Sequence, residues 1–263
     1  MNTPLLRDTV LITGASSGIG LELARCFAGD GSRLVLLARN TAALEALAAE
    51  LRRVHGIEAI VLTADLSLPE TPAQVFQELQ GRGIQVDVLV NNAGFGASGD
   101  FADLPLSRQL EIIQVNIGAL TALTGWFLPA MIKRKRGGIL NVGSVAGFLP
   151  GPGMAVYFAT KAFVGSFSQA VAEEVAGMGV TVTALCPGPT ESNFGTVARG
   201  PKSRAIRTGK MTAAEVARHG HRAFRQGKRM AISGWRNRLI VLLIWILPRS
   251  VVLRLTRFFN QTR

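Results

Sequence analysis

Residues 9–20 read TVLITGASSGIG, and a helical pattern over residues 21–27 follows them. The first five residues are apolar or β-branched, which predicts a buried strand. Gly14, Gly18 and Gly20 then allow a tight turn whose backbone can approach a pyrophosphate, and the N-terminus of the next helix offers free N–H groups to it. The stretch therefore predicts the strand, turn and helix that open a nucleotide-binding α/β fold.

The same alternation of strand and helix continues along the chain. Val, Leu and Ile dominate five further runs that we predict to be strands: residues 33–39, 58–64, 86–91, 138–142 and 180–186. Such runs are typical of strands buried on both faces of a parallel sheet. Helical patterns lie between them, for example residues 41–54, with Leu44, Leu47, Leu51 and Val54 on one face. We predict a single α/β domain, a Rossmann-type doubly wound parallel sheet in three α/β/α layers.

The composition supports a packed domain with its charge at one end. Of 263 residues, 48% are hydrophobic and 17% are charged, which excludes a disordered chain. Residues 1–198 carry 13 basic and 16 acidic side chains, whereas residues 199–263 carry 16 basic side chains and one acidic, Glu215. We expect residues 1–198 to form the dinucleotide-binding and catalytic Rossmann domain, and residues 199–263 to be a basic substrate-loop and C-terminal amphipathic extension of it.

Further motifs stand where the predicted strands end. Asn91-Asn92-Ala93-Gly94 closes the fourth strand, and Ser144 and Pro187-Gly188 follow the fifth and sixth. Tyr157-x-x-x-Lys161 opens a helix, and Asn116 lies in a helical stretch. In order and spacing, these motifs and the Gly-x3-Gly-x-Gly turn resemble those of the short-chain dehydrogenase/reductase family, over roughly residues 7–190. The resemblance implies an enzyme that transfers a hydride between a nicotinamide cofactor and a ketone or secondary alcohol.

The resemblance also implies a role for each matching residue. Tyr157 would be the catalytic acid/base, Lys161 would lower its pKa and bind the nicotinamide ribose, and Ser144 would hydrogen-bond the substrate oxygen. Asn116 would hold a water that links Lys161 to solvent. Asp65 would contact the adenine and Thr190 the nicotinamide carboxamide. The cofactor-binding residues implied are Gly14, Ser16, Ser17, Gly18, Ile19, Gly20, Asp65, Leu66, Asn92, Ala93, Gly94, Tyr157, Lys161, Pro187, Gly188 and Thr190.

The spacing of Tyr157 and Lys161 has a physical rationale of its own. Reduction of a ketone needs a proton donor, but a free phenol titrates near pH 10. Residues at i and i+4 share a helical face, and a cation about 4 Å away is worth up to about 4 kcal/mol at an effective dielectric of about 20. We expect Lys161 to lower the pKa of Tyr157 towards neutrality. An isolated Tyr and Lys one turn apart can equally be an exposed pair, and Ser144 and the glycine turn favour catalysis.

The end of the second predicted strand bears on the choice of cofactor. An acidic residue there binds the ribose 2′-hydroxyl of NAD, whereas an arginine accommodates the 2′-phosphate of NADP. This strand ends in Arg39 and Asn40 with no carboxylate. The sequence therefore favours NADP(H) over NAD(H), unless Arg39 merely points to solvent.

Aromatic and apolar residues next to the motifs suggest a lipophilic substrate. Phe95, Phe148, Met154 and Phe194 each stand beside a motif that reaches the active site. We expect them to line a pocket for a lipid-like, 3-oxoacyl-like or steroid-like ketone or alcohol, although the same side chains can equally be ordinary packing. An alternative on the same fold is a binding protein without catalysis, either an NADP redox sensor or membrane-associated. A redox sensor would not need Asn116, Ser144, Tyr157 and Lys161 together.

The C-terminal segment predicts an interfacial hairpin. Residues 239–247 are uninterruptedly apolar but too short to span a bilayer alone. Residues 251–259 place Val251, Val252, Leu255, Phe258 and Phe259 on one stripe. With the arginines around them, the two runs favour peripheral association with an anionic membrane surface. The same segment can instead cover the substrate pocket or form a subunit interface.

Partners and location follow from the same features. Residues 1–8 contain no apolar secretory segment, so we expect a cytoplasmic protein, peripheral to the inner face of a membrane. The basic end has no recognition helix or stacking sheet, so no specific nucleic acid is expected. His219 and His221 have no companion ligands in sequence, so we expect solvated histidines and no metal site. A small carbonyl or alcohol and further copies of the chain in a homo-oligomer are the partners we expect.

Overall fold

Seven parallel strands form the central sheet of this computed structural model, which describes residues 8–191 and 211–260. The sheet order is β3-β2-β1-β4-β5-β6-β9. Strands β2 and β3 are added on one side of β1 and the later strands on the other, so the topological switch point lies between β1 and β4. Thr190–Glu191 (β7) and Met211–Thr212 (β8) pair separately as a two-stranded sheet. The strands of the main sheet are Thr9–Thr13 (β1), Arg33–Ala38 (β2), Ala59–Thr63 (β3), Val88–Asn91 (β4), Gly137–Val142 (β5), Val180–Cys186 (β6) and Met230–Ile232 (β9).

Helices cover both faces of the sheet. A π-helical turn at Gln114–Ala119 joins α4 to α5, and a 3₁₀ turn at Val145–Phe148 precedes α6. The α-helices are Gly18–Gly29 (α1), Thr41–His55 (α2), Thr71–Gly81 (α3), Leu106–Ile113 (α4), Leu120–Arg134 (α5), Ala155–Glu174 (α6), Ala213–Arg225 (α7), Trp235–Ile246 (α8) and Arg249–Asn260 (α9).

Two buried apolar clusters lie on opposite faces of the sheet. One joins the sheet to α1, α2 and α7, through side chains such as Phe27, Leu47 and Phe224. The other joins it to α3, α5 and α6, through side chains such as Leu79 and Phe127. Three layers result, and the Rossmann-type, doubly wound α/β prediction is confirmed.

Single elements show where the sequence pattern was sufficient and where it was wrong. The predicted bounds of β1 and β6 agree with the structure, and the other four predicted strands are found. The sequence did not indicate β9, because three residues in a basic context give no strand signal. Val54 was predicted to share the buried face of α2, but it lies in the last turn of the helix and is 56% exposed.

One continuous helical stretch, Leu106–Arg134, is long and apolar enough to cross a membrane by length and composition alone; it is the only such helix within residues 8–191 and 211–260. Its buried side chains include Leu123, Phe127 and Met131, which pack in the cluster with α3 and α6. This stretch is therefore a core helix of the α/β domain.

Partly buried ion pairs connect α7 to the start of the sheet. The Arg225 guanidinium donates to both Asp30, at 2.6 and 2.9 Å, and the fully buried Asp8, at 3.3 Å. His221 Nε2 lies 2.9 Å from Asp30, and its ring packs edge-on against Phe27. The prediction that His221 is solvated was wrong, because the matching carboxylate comes from a distant part of the sequence.

His219 departs from the same prediction. Its Nδ1 lies 3.1 Å from Ser233 Oγ and its Nε2 lies 3.3 Å from the Arg238 guanidinium, so it is partly buried between α7 and α8. Within the described residues, no group of three His, Cys, Asp or Glu side chains could hold a metal ion.

Candidate active site

The glycine turn after β1 has the geometry that a dinucleotide requires. Gly14 and Gly18 have φ angles of +66° and +57°, which side-chain-bearing residues rarely adopt. A Cβ on Gly20 would lie 2.4 Å from both Asn92 Nδ2 and the Gly14 carbonyl oxygen. The turn can therefore keep its shape only with glycine at these positions.

The turn is tied to the end of β4, across the point where the sheet order reverses. Asn92 Nδ2 donates to the Thr13 carbonyl at 2.9 Å and to the Gly14 carbonyl at 3.2 Å. The Thr13 hydroxyl accepts from the backbone N–H groups of Asn92 and Ala93, both at 3.0 Å. Open α/β sheets bind ligands in the crevice at such a switch point.

These residues fit a nicotinamide dinucleotide. The N-terminus of α1 has no acidic residue in its first turn and no side-chain cap, so its N–H groups and positive dipole end remain available to a pyrophosphate. Ser16, Ser17 and Ile19 are at least partly exposed there, whereas a Cβ on Gly20 would displace the turn. The turn, the helix N-terminus and the NNAG segment together form a cradle of dinucleotide type.

Arg39 and Asp65 lie side by side beyond the ends of β2 and β3. The Arg39 guanidinium is 63% exposed and lies 3.8 Å from the Asp65 carboxylate. Partial burial opposes ionisation of Asp65, but the Ser67 hydrogen bond and Arg39 outweigh it and lower its pKa. Leu66 is buried next to this pair. An exposed guanidinium with a distant, weak partner is free to bind a phosphate.

Asn116 lies in the π-helical turn and clamps two segments together. Its side-chain oxygen accepts from the Phe95 N–H at 3.1 Å, and its Nδ2 donates to the Phe95 carbonyl at 3.0 Å and the Thr160 hydroxyl at 2.9 Å. The Thr160 hydroxyl donates in turn to the Tyr157 carbonyl at 2.7 Å. Thr160 was missed by sequence reasoning, because only the three-dimensional contact distinguishes it from other helix positions.

Tyr157 and Ser144 are brought together at the carboxyl end of the sheet. Ser144 caps the 3₁₀ turn by accepting from the Ala146 N–H at 3.1 Å, which fixes its side chain, and its hydroxyl lies 3.4 Å from the Pro187 carbonyl. Burial raises the pKa of Tyr157 to about 12, against the hydrogen bond between Tyr157 and Ser144, which lowers it. The phenol is therefore a protonated donor at neutral pH.

Lys161 lies near Tyr157, as predicted, but its ammonium is hydrogen-bonded to another group. Its ammonium donates to the Val142 carbonyl at 2.8 Å and lies 5.8 Å from the centroid of the Tyr157 ring. Burial lowers its pKa to about 8, and the neighbouring Cys186 raises it slightly. The expected lowering of the Tyr157 pKa by Lys161 was wrong for this arrangement, because burial of the phenol dominates and the cation is bonded elsewhere.

The Pro187-Gly188 motif holds α8 against the site. A Cβ on Gly188 would lie 2.3 Å from Asn237 Nδ2, so α8 packs directly on this glycine. Thr190 donates its hydroxyl to the Gly188 carbonyl at 2.9 Å. Nothing in the sequence pattern indicated Asn237, which meets Gly188 only after the chain has passed through β9.

A cavity of about 200 Å³ adjoins Ser144 and Lys161, between α6, the 3₁₀ turn and α8. Phe148, one of the predicted pocket residues, lines it, and so does Trp245 of α8. Phe95 instead belongs to a small apolar cluster with Ile112 and Val115, with the Arg108 guanidinium 4.1 Å from its ring centroid. Met154 precedes α6 and is partly exposed, and Phe194 lies outside the described residues.

Known proteins resemble the chain over most of its length. A family model described as short chain dehydrogenase matches residues 8–201. A very-long-chain 3-oxoacyl-CoA reductase from Laccaria bicolor is 38% identical over 66% of this chain and 52% of its own length. The chain spans about half to three fifths of the length of the first curated relatives that it matches.

Solved structures agree with the fold and carry two different cofactors. A short-chain dehydrogenase from Sphingobium yanoikuyae in complex with NADPH matches with a TM-score of 0.81 and 34% identity, over 92% of this chain and 97% of that one. A short-chain dehydrogenase/reductase from Burkholderia phymatum in complex with NAD matches with a TM-score of 0.82 and 26% identity, over 100% and 99%. Nicotinamide binding is thus common to these neighbours, and the choice between the two cofactors is not.

Proposed function

Because the chain belongs to the short-chain dehydrogenase/reductase family of oxidoreductases, we propose that it uses NADP(H) to interconvert a hydrophobic ketone and its secondary alcohol. The observation that carries the proposal is the hydrogen-bonded pair of Tyr157 and Ser144 beside Lys161, at the same sheet edge as the glycine turn. A proton donor, a fixed hydroxyl and a cation are the groups that carbonyl reduction requires.

The glycine turn, the N-terminus of α1 and the NNAG segment would hold the dinucleotide, with Asp65 and Leu66 at its adenine and Thr190 at its carboxamide. When bound, the nicotinamide supplies the hydride in reduction and accepts it in oxidation. Gly94 would leave the ribose room beside Lys161, because a Cβ there would lie 3.4 Å from Nζ. Asn116 would hold a water between Lys161 and solvent.

The chain's own residues handle the proton and the developing charge. The Tyr157 hydroxyl donates its proton to the carbonyl oxygen as the carbonyl carbon becomes an alcohol carbon, and Ser144 donates a hydrogen bond to the same oxygen. Release of that proton places a negative charge on the partly buried phenol. Lys161, still cationic at neutral pH with a pKa of about 8, lies beside the Tyr157 ring and would compensate that charge.

The preference for NADP(H) over NAD(H) rests on Arg39. Its guanidinium is exposed beyond the end of β2, and binding a phosphate would replace only its weak contact with Asp65. A charge-assisted bond to a 2′-phosphate is stronger than such an exposed pair. The NADPH-bound neighbour from Sphingobium yanoikuyae supports the proposal.

A lipophilic substrate is supported by the cavity and by the relatives. Phe148, Met230 and Trp245 are apolar residues of a cavity that Ser144 and Lys161 also line, together with the polar Ser166 and Gln169. The Laccaria bicolor relative is named for very-long-chain 3-oxoacyl-CoA. We also propose that the protein is cytoplasmic, lies peripheral to the inner face of a membrane, and forms a homo-oligomer.

Oxidation of NADPH with a series of ketones of increasing apolar size tests this function. We expect kcat/KM to rise with apolar size, since removal of apolar area from water contributes about 25 cal/mol per Å². Equal rates with polar and apolar ketones would contradict the substrate class. No oxidation with any ketone would contradict the enzymatic function itself.

A further inference from the structure

The helix α8 is apolar around its circumference, yet it lies on the outside of the molecule. A helix of this kind is normally buried. Here only Val241 is buried, whereas Trp235, Trp245 and Ile246 are 70%, 78% and 73% exposed. Leu239, Ile240, Leu242 and Leu243 are exposed as well.

The next helix, α9, continues this exposed apolar surface with an amphipathic stripe. Val251, Leu255 and Phe258 recur at i, i+4 and i+7 and are all exposed. Val252 and Thr256 form a neighbouring, buried side. The prediction that Val252 belongs to the outer stripe was wrong, because it packs inward; the side chain of Phe259 lies outside the described residues.

The charges on these two helices have one sign. Residues 235–260 contain five arginines and no Asp or Glu: Arg236, Arg238, Arg249, Arg254 and Arg257. The Arg236 guanidinium lies 5.4 Å from the centroid of the Trp235 ring, so a cation and an aromatic side chain share one site. Tryptophan rings beside cations are typical of the boundary between lipid tails and headgroups.

The first turn of α8 is bonded to the end of β9, and each of the two helices has a buried side. Asn237 donates to the Ser233 carbonyl at 2.6 Å, and the Arg238 guanidinium donates to the Ile232 carbonyl at 3.1 Å, so the start of α8 is bonded to the end of β9. Val241 and Val252 supply the buried contacts of the two helices. The remaining exposed side chains face away from the domain.

We propose that α8 and α9 form a docking surface for an anionic lipid bilayer, with their apolar side chains in the interface and the exposed Arg236, Arg249, Arg254 and Arg257 at the headgroups. An apolar helical face with flanking cations is the arrangement that binds anionic membranes. Trp245 also lines the cavity beside Ser144, so the surface continues to the candidate active site. The inference gives the proposed peripheral location a specific surface, and it does not depend on the proposed reaction.

A second copy of the chain fits this surface less well. In a two-fold dimer the same patch meets itself, so its arginines would meet the same arginines of the second copy, with no carboxylate from residues 235–260 to pair them. Juxtaposed like charges oppose association, and charged residues are depleted in interface cores. Lipid headgroups supply the missing negative charge.

Co-sedimentation of the full chain with vesicles tests the electrostatic part of the surface. We expect binding to vesicles of phosphatidylcholine mixed with phosphatidylglycerol and little binding to phosphatidylcholine alone. Substitution of Arg254→Gln together with Arg257→Gln should weaken binding about thirtyfold, because each arginine near an anionic surface strengthens it about fivefold. The matched control, Arg53→Gln with Lys133→Gln, removes two exposed charges elsewhere and should bind as the wild type does.

The apolar part is tested by Leu255→Ser with Phe258→Ser, which should also release the protein from mixed vesicles. Its control is Phe101→Ser with Leu106→Ser, which replaces two apolar side chains on another surface that are at least as exposed. NADPH binding and the melting temperature of each variant show that the domain is folded. Equal sedimentation of the surface and control variants overturns the proposal. A second pair of results also overturns the proposal. In it, the wild type does not sediment with vesicles, and light scattering shows a dimer in the wild type that the Leu255→Ser, Phe258→Ser variant has lost. Ketone turnover is measured separately and tests only the reaction.

Discussion

Two helices with similar apolar spacing lie in opposite environments. In α2, Leu44, Leu47 and Leu51 are buried against the sheet, whereas in α9 Val251 and Leu255 face outward. The chain leaves β2, forms α2 and returns to β3, so the crossover presses that helix onto the sheet. After β9 no further strand follows among the described residues, so no crossover presses α9 onto the sheet. Apolar spacing therefore identifies the residues that share a face, but the connection determines what covers it.

The arginines of the two regions differ in the same way. In the sheet domain, Arg25 and Arg33 pair with the nearby carboxylates of Glu50 and Glu58, so its surface charge is balanced internally. Within α8 and α9 no acidic residue is available. We infer that the first region carries the chemistry and the second the attachment, and variants of each should affect one property and leave the other unchanged.

The largest effect is expected from Tyr157→Phe, which removes the proton donor. We expect kcat to fall about a thousandfold, since general acid catalysis contributes about 10²- to 10⁴-fold. NADPH affinity, measured by fluorescence titration, and vesicle binding should stay at wild-type levels. A variant that turns over normally would remove Tyr157 from the chemistry, and a variant that loses vesicle binding would break the separation of the two regions.

The second prediction concerns Arg225, which connects α7 to the sheet. Arg225→Ala leaves Asp30 and the buried Asp8 with fewer partners, and Asp8 already has its pKa raised by burial. We expect the free energy of unfolding to fall by about 3 kcal/mol, as for other broken buried ion pairs. Denaturant titration checks this against Arg218→Ala, an exposed residue of the same helix whose substitution should cost little. Equal losses in both variants would show that the buried pairs do not fasten α7.

The long-range pairs also explain how much of the fold the sequence could predict. Local patterns were enough for β1, α2 and β6, because periodicity and glycine placement act within a few residues. The Asp30 to His221 contact joins residues 191 positions apart, and no local pattern reports it. β9 is stabilised by its parallel pairing with β6, which three residues alone do not reveal.

The candidate site likewise has features that local motifs predict and features that depend on long-range packing. Motif order predicted that Ser144, Tyr157 and Lys161 meet, and the structure brings them to one sheet edge. It could not predict the direction of the Lys161 ammonium, which depends on the position of the Val142 carbonyl. The contact of Thr160 with Asn116 was equally hidden, because it depends on how α6 packs on the π-helical turn.

The third prediction sharpens the assignment of cofactor recognition to the sheet domain. Arg39→Ala should raise KM for NADPH roughly tenfold or more relative to NADH, since a charge-assisted hydrogen bond is worth about 1.5–3 kcal/mol. The control is Arg53→Ala, an exposed arginine on α2. Steady-state kinetics with both cofactors give the ratio. An unchanged ratio would mean that Arg39 points to solvent in the complex.

The smallest effect is expected from the histidine of α7, and it concerns the boundary between the two regions. Burial lowers the pKa of His221 below 6.5, against Asp30, which raises it. The unfolded chain therefore binds a proton that the folded chain resists, so this contribution to stability is complete above about pH 6.5 and is lost as the pH falls towards the folded pKa. His219 has a pKa lowered in the same direction by burial and by Arg238.

We expect the melting temperature of the wild type to fall between pH 7 and 5.5, and His221→Gln to weaken that dependence. The exposed His55→Gln is the control and should follow the wild type. A His221→Gln curve parallel to the wild type would assign the pH dependence to other groups. A flatter curve would show that α7 is linked electrostatically to the sheet domain, through the contact of His221 with Asp30.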